Sequence, residues 1–384
     1  MIDTFLGAPR EEDWRLYTPV IRAKASEWKA LQLLTPGIRQ RISPILEFVP
    51  DWDAPGAVTS VRKRRAPQTP HEYVARMLRH AVEATPHRTR SFIYFGLAGS
   101  AARWKGVDLW AEYEARVEPK TDVIPLADLS SIEGQPGLTR SVASRSQIGL
   151  RLRSEDIGPQ SQRRIDTVLQ LLGIPRQFVH VVVDLKDRPT SRSHEQVRSA
   201  LEHSRAFASV VVLAGIFPLD LTQYQPGIAS EPRLDWTTWW QGHCATPNGE
   251  RLLALGDYTT QCAHYQPSPE VPGSVSLRYT VDDAVLIFRG RQSGSAGGLG
   301  HEQMHGHCRL LVNRPDYDGA AFSWGDHRIR CWTNPSNGTG NAVQWRTASI
   351  THHITHVVTQ VHDPTGSSAS ARSWARGQET TPCV

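Results

Sequence analysis

The chain has 384 residues, enough for one large barrel or for two domains of ordinary size. Its formal net charge of +5 allows contact with phosphates or nucleic acid without requiring it, because 38 acidic residues nearly balance 43 basic ones. No apolar stretch is long enough to span a bilayer and no signal peptide is apparent, so we expect a cytoplasmic protein without a membrane partner. The five cysteines contain no C-x-x-C pair, which predicts free thiols.

Short apolar runs alternate with helical patterns over the first two thirds of the chain. Eight runs have the length and composition of buried strands. They are residues 16–24, 42–49, 91–98, 122–129, 147–153, 178–185, 207–215 and 251–258. Helices are predicted at residues 25–40, 70–84, 159–172 and 193–204, and a Trp-rich segment at 234–244 fills a further crossover.

Strand and helix alternation of this kind predicts a parallel sheet of the α/β class. Eight units favour a closed (β/α)8 barrel, similar to a TIM barrel, over an open doubly wound sheet. No G-x-G-x-x-G follows the first strand, which weakens the dinucleotide-binding alternative. We therefore assign residues 1–258 to a barrel domain.

The pattern changes after Tyr258. Two strand-like runs, at residues 275–279 and 284–289, flank a turn and predict a hairpin. Helical patterns follow, ending in a long one at 343–361. We predict that residues 259–362 form a hairpin-plus-helix extension packed on the barrel, and that residues 363–384 form a flexible tail.

Several segments look familiar. YTPVIRAKASEWKAL, SPILEFVP, LGDY with the later SLRYTVDDAVLIFRG, and WRTASITHHITHVVTQV resemble the beta protein family, which is found in phages, prophages and bacterial defence islands. The resemblance implies a barrel-like cytoplasmic protein in phage defence that acts with a protein partner encoded nearby, either restraining a toxin or sensing a phage component. It implies no particular reaction.

Charged residues end several predicted strands. The carboxyl ends of parallel strands meet on one face of a barrel, where barrel enzymes build their sites. Glu47, Asp184 and Asp257 are the candidate catalytic acid–base groups, and the candidate substrate-binding residues are Lys24, Asp128, Arg151 and Lys186. Alternatively, these charges only mark where strands emerge into water. Asp257 stands out because Gly256 beside it would allow a ligand to approach closely.

Two other features suggest partners. The basic run of Arg62, Lys63, Arg64 and Arg65 would suit phosphate or nucleic acid, although such runs are more often solvated loops. Trp239 and Trp240 could form a partner surface, although helix packing on the barrel explains them as well.

The histidines fall into two groups. His301 and His305 fit the H-E-x-x-H pattern of zinc proteases, but no third ligand follows at a suitable spacing, so we interpret the match as chance. We interpret His352, His353 and His356 as packing residues on the closing helix. Alternatively, this helix folds across the barrel mouth and contributes a histidine to it. We assign no metal ligands and no cofactor, although a divalent metal could bind the mixed charges of the mouth.

Three functions remain open. The first is a defence-associated binding protein with a partner. The second is a barrel hydrolase acting on a phosphorylated or phosphodiester substrate, and the third is a nucleic-acid-binding module. Whether the chain is an enzyme is left open, because a fold does not fix a reaction.

Overall fold

A computed structural model describes residues 17–50, 69–85, 90–99, 102–117, 123–134, 147–187, 189–201, 206–244, 253–266, 274–292 and 300–362. The predicted tail at 363–384 and the basic run from Arg62 to Arg65 lie outside these residues. Among the helices that are described, none is both long enough and apolar enough to cross a membrane.

The described strands, in chain order, are β1 Thr18–Arg22, β2 Ile45–Glu47, β3 Ser91–Tyr94, β4 Arg103–Trp104, β5 Val107–Asp108, β6 Val123–Asp128, β7 Ile148–Arg153, β8 Val179–Lys186, β9 Ser209–Ala214, β10 Gly227–Pro232, β11 Ala254–Asp257, β12 Ser274–Thr280 and β13 Ala284–Gln292. The helices are α1 Ala25–Leu33, α2 Pro36–Arg39, α3 Pro70–Ala84, α4 Leu109–Arg116, α5 Leu129–Gly134, α6 Ser161–Leu172, α7 Ser191–Ala200, α8 Leu234–Cys244, α9 Gln303–Val312, α10 Trp324–Cys331 and α11 Ala342–His362.

Eight parallel strands form a closed barrel, which confirms the predicted α/β, TIM-barrel-like fold. Their order around the barrel is β1, β11, β9, β8, β7, β6, β3 and β2, and β1 pairs with β11 to close it. Strand β8 is an almost unbroken buried run, as expected of a parallel strand covered on both sides. Each of the eight barrel strands overlaps one of the eight predicted runs; seven are shorter than their run, whereas β8 has the same length and is shifted by one residue.

Close packing between barrel strands explains Gly256. A Cβ at this position would lie 3.0 Å from the backbone oxygen of Thr18 and 3.0 Å from Cγ1 of Val211, on the two neighbouring strands. The glycine therefore lets β1, β11 and β9 approach one another. This packing role was not predicted from the sequence, and the approach of a ligand to Gly256 stays a prediction.

The chain divides into two compact units. The first lies within Met1–Ala23, Ser43–Ala214 and Thr238–Asp257 and contains the barrel, whereas the second lies within Lys24–Ile42, Gly215–Thr237 and Tyr258–Val384. The second unit therefore takes in two segments that interrupt the barrel sequence. The predicted packing of residues 259–362 on the barrel stays a prediction.

The second unit is built on the predicted hairpin of β12 and β13, which β10 extends to three strands. Helices α9, α10 and α11 contribute to its apolar core, which includes Tyr279, Phe288, Met304 and Trp332. Helix α1 joins the same unit, where the Thr347 hydroxyl donates to the backbone oxygen of Ser26 at 3.1 Å.

Two expectations are corrected. Residues 25–40 form two helices because Thr35 caps a new helix that has Pro36 in its first turn. Cys331 is disulfide-bonded, whereas Cys262 and Cys308 are free thiols, so the prediction of free thiols is wrong for Cys331.

Candidate functional site at the barrel mouth

The carboxyl ends of the barrel strands carry a chain of buried ion pairs. Glu47 accepts from Nε of Arg22 at 3.0 Å and lies 3.4 Å from Nη1 of Arg151. Nη2 of the same Arg151 lies 2.6 Å from Oδ2 of Asp184, and Nζ of Lys186 lies 3.2 Å from that oxygen. These five residues come from β1, β2, β7 and β8.

The contact between Arg151 and Glu47 shows that these two side chains point into the barrel interior. Strands β2 and β7 are not neighbours in the barrel, because β3 and β6 lie between them. An ion pair between them therefore crosses the barrel interior. Arg151 is 2 % exposed and Glu47 is 1 % exposed, so both charges are held away from water and depend on each other.

A second group adjoins the first. The hydroxyl of Tyr94 donates to Asp128 at 2.9 Å, and Nη2 of Arg153 binds the same carboxylate at 3.0 Å. The guanidinium of Arg151 lies 4.1 Å from the ring centroid of Tyr94, which connects the two groups. Burial raises the pKa of Tyr94, so its hydroxyl stays protonated as a donor.

Lys186 has the most unusual backbone of the mouth. Its φ is +53°, a conformation that residues other than glycine rarely adopt, and the pairing of β8 with β9 shifts between Asp184 and Lys186. Its backbone N–H donates to Oδ1 of Asp184 at 3.1 Å. Burial lowers the pKa of Lys186, and the nearby Asp184 opposes this effect. Strained backbone of this kind is typical of functional sites.

Two candidate residues have other surroundings. Asp257 is buried and accepts a hydrogen bond from the hydroxyl of Tyr17. Lys24 lies in the second unit, at the start of α1, where its ammonium is 5.1 Å from the ring centroid of Tyr265. Its place at the barrel mouth stays a prediction.

The two tryptophans differ in exposure, which bears on whether each packs on the barrel or contacts a partner. Trp239 is 2 % exposed, and its indole N–H donates to the backbone oxygen of Leu253 at 2.9 Å. It is thus a packing residue, and a role at a partner surface is wrong for it. Trp240 is partly exposed, so its role at a partner surface stays a prediction.

The two histidines of the H-E-x-x-H match do not lie on one helix. Helix α9 begins after His301 and Glu302. Nδ1 of His305 contacts the backbone oxygen of Trp332 at 2.7 Å and its Nε2 lies 3.1 Å from Glu302, and among the described residues no group of three possible metal ligands includes His305. This geometry agrees with a chance match.

The structure thus brings together Glu47, Asp128, Arg151, Asp184 and Lys186, while their catalytic and binding roles stay predictions. Sequence reasoning did not select Arg22 or Tyr94. Arg22 has a signal, since in the predicted strand at residues 16–24 it would fall on the same face as Lys24. Tyr94 has none, because an apolar run hides its hydroxyl.

A model of the Beta protein family matches residues 17–359. The chain belongs to the Beta protein family. The match confirms the resemblance of the opening and closing segments, and it spans every charged residue of the mouth. None of the curated proteins matches the chain. Membership in the Beta protein family gives the charged mouth no reaction, so its chemistry has to be argued from the residues.

Proposed function

We propose that the barrel mouth binds a phosphate-bearing compound and acts on it as a phosphomonoester or phosphodiester hydrolase. The observation that carries this proposal is the position of two partly exposed cations above buried carboxylates. The side chains of Arg153 and Lys186 are 46 % and 29 % exposed, whereas those of Asp128 and Asp184, which they bind, are 3 % and 0 % exposed.

The division of charge suits an anionic substrate. The buried carboxylates fix the positions of the two outer cations, so the cations are oriented before a ligand arrives, which lowers the cost of stabilising charge that develops during reaction. Because burial lowers the pKa of Lys186, its ammonium would give up a proton to a leaving oxygen more readily than an exposed lysine. Glu47, Asp184 and Asp257 remain the proposed acid–base groups.

The competing interpretation is that the ion pairs only hold the barrel together. The two outer cations separate these interpretations. Arg153 and Lys186 reach water, so changing them should leave the barrel folded, whereas the inner residues contribute to both stability and any chemistry.

The test compares Arg153→Gln and Lys186→Met with the wild type and with Arg163→Gln. Arg163 is an exposed arginine on α6 of the same unit, so its variant removes one positive charge away from the mouth. The probes are p-nitrophenyl phosphate and bis-p-nitrophenyl phosphate, with and without Mg²⁺ or Mn²⁺. We expect Arg153→Gln and Lys186→Met to lose at least tenfold of the wild-type kcat/KM, and Arg163→Gln to retain it. Equal kcat/KM values in all four proteins, or no turnover by the wild type, would reject the hydrolase.

We also propose that the protein acts in phage defence with a protein partner. Membership in the family supports this, and the partly exposed Trp240 offers an aromatic contact for the partner. The test is survival of infected cells that carry the gene with its native neighbours. We expect Trp240→Ala to reduce protection and co-purification of a neighbouring gene product together, while an exposed-residue control, Glu195→Ala, changes neither. If the wild type does not protect, the defence role is wrong.

A further inference from the structure

A compact cluster of metal-binding side chains lies in the second unit. His352 and His356 are four residues apart on α11, and Asp318 lies on the segment before α10. One ligand atom from each of the three residues lies within 4.8 Å of the other two. Helical neighbours four residues apart share a face, so both imidazoles can reach one ion.

The hydrogen bonding of His356 is incomplete. Its Nδ1 lies 3.1 Å from Oδ2 of Asp318, which as a carboxylate can only accept, so Nδ1 carries the proton of the neutral ring. Nε2 then presents a lone pair, and this buried atom has no hydrogen-bond partner. The nearest carboxylate atom facing it is Oδ1 of Asp282, at 3.6 Å. That side chain is 94 % exposed and lies beyond hydrogen-bond distance, so the conflict is that the buried lone pair of Nε2 has no donor to accept from.

A metal ion on Nδ1 resolves this conflict. With the ion bound by Nδ1 of His356 and by Asp318, the ring proton moves to Nε2, where it faces Asp282. A carboxylate behind the non-coordinating nitrogen is the usual outer support of a histidine ligand, because it fixes the tautomer and the ring orientation.

His352 already has the same support. Its Nδ1 contacts Oδ2 of Asp326 at 2.9 Å, and the hydroxyls of Tyr279 and Ser323 donate to that carboxylate at 2.9 and 2.6 Å. Its ring also stacks on Tyr279, with 3.7 Å between ring centroids. Nε2 donates to the backbone oxygen of Thr280 at 2.8 Å, so coordination through this nitrogen would release its proton to solvent and replace the hydrogen bond.

We propose that Asp318, His352 and His356 form a Zn²⁺ site, with Asp318 Oδ2, His352 Nε2 and His356 Nδ1 as ligands. Two imidazoles and one carboxylate are a ligand set that zinc favours, and a set of three leaves a fourth position for water or an acidic group of a ligand. The aromatic ring of Phe322 packs against both histidines and helps exclude bulk water. All three residues belong to the second unit.

The test titrates Zn²⁺ and Co²⁺ into metal-free full-length protein. Isothermal titration calorimetry measures the Zn²⁺ stoichiometry and Kd, and the visible absorption of Co²⁺ reports its coordination geometry. We expect one ion per chain in the wild type and a Co²⁺ spectrum of the tetrahedral type. Asp318→Asn and His356→Gln should each weaken Zn²⁺ binding at least tenfold.

The control is His301→Gln, which removes an exposed histidine of the same unit and should leave the Kd unchanged. Circular dichroism of each variant separates loss of a ligand from loss of fold. If His356→Gln does not fold because His356 is buried, Asp318→Asn still tests the site. Asp318 is partly exposed, so we expect its variant to fold. No stoichiometric binding by the wild type, or equal binding by folded Asp318→Asn, would overturn the zinc site.

Discussion

The buried charged residues of the barrel mouth depend on opposite charges from other strands. Glu47 is the clearest case, because it binds Arg22 on a neighbouring strand and Arg151 on the far side of the barrel. Its carboxylate therefore balances two buried guanidinium groups. Removing one member of a buried ion pair costs more than the pair contributes, since a charge is left without compensation.

Glu47→Ala should therefore lower the free energy of unfolding by about 3–5 kcal/mol. Urea denaturation followed by circular dichroism measures this loss. Glu195→Ala, which removes an exposed glutamate from α7, is the matched control and should change the free energy by less than about 0.5 kcal/mol. Similar losses in the two variants would mean that the ion pairs of Glu47 do not form in solution.

The free thiols of Cys262 and Cys308 should differ in reactivity. Burial raises the pKa of Cys308 to about 12, so its thiol stays protonated and unreactive at neutral pH. Cys262 is partly exposed. Peptide mass spectrometry after brief treatment with iodoacetamide at neutral pH should find Cys262 modified and Cys308 modified only after denaturation. Rapid labelling of Cys308 in the folded protein would contradict its burial.

At the scale of elements, local sequence signals place the ends of some helices. Thr69 with Glu72 forms a capping box, and α3 begins at Pro70 as the sequence predicts. Gly173 ends α6 with a φ of +66°. By contrast, β10 could not be predicted, because its exposed sequence, GIASEP, has no apolar alternation and becomes a strand only through pairing with β13.

Gly256→Ala should test how tightly the barrel strands pack. The added methyl group would crowd Thr18 and Val211, so we expect a loss of about 1–3 kcal/mol in the free energy of unfolding. Gly158→Ala is the control, because a Cβ there meets no atom within 4 Å. Thermal and urea denaturation of both variants give the comparison, and equal stability would show that β11 does not approach its neighbours this closely.

At the scale of the whole molecule, the barrel and the charged residues at its strand ends were predictable, whereas the pairing of those charges was not. Eight recurring runs suffice to predict eight strands, and the carboxyl ends of parallel strands predict one charged face. Which charges pair, however, depends on contacts across the interior, such as Arg151 with Glu47 over 104 residues of sequence. Spacing along one strand carries no information about such partners.

The pH dependence of stability should show the effect of a buried histidine. Burial, assisted by the positive charge of Arg198, lowers the pKa of His194 from 6.5 to about 4. Between these values the unfolded chain binds more protons than the folded one, so stability is lost as the pH falls. We expect this group to account for a loss of about 3 kcal/mol as the pH falls from the ordinary pKa of histidine to the lowered one.

Urea denaturation at a series of pH values measures this slope. Over this pH interval, His194→Gln, which cannot take up the proton, should lose about 3 kcal/mol less stability than the wild type. His80→Gln, an exposed histidine on α3, is the control and should retain the wild-type slope. An unchanged slope in His194→Gln would show that His194 is already protonated in the folded state.

The pairing of β1 with β11 has a consequence for synthesis on the ribosome. Tyr17 and Asp257, which bond across this seam, are 240 residues apart in the sequence. At about 5–20 residues per second, a ribosome needs roughly 12–48 seconds to add the residues between them. Throughout that time the nascent β1 has an unpaired edge, and the barrel cannot close. We therefore expect the growing chain to expose this strand edge to aggregation until residue 257 has left the exit tunnel.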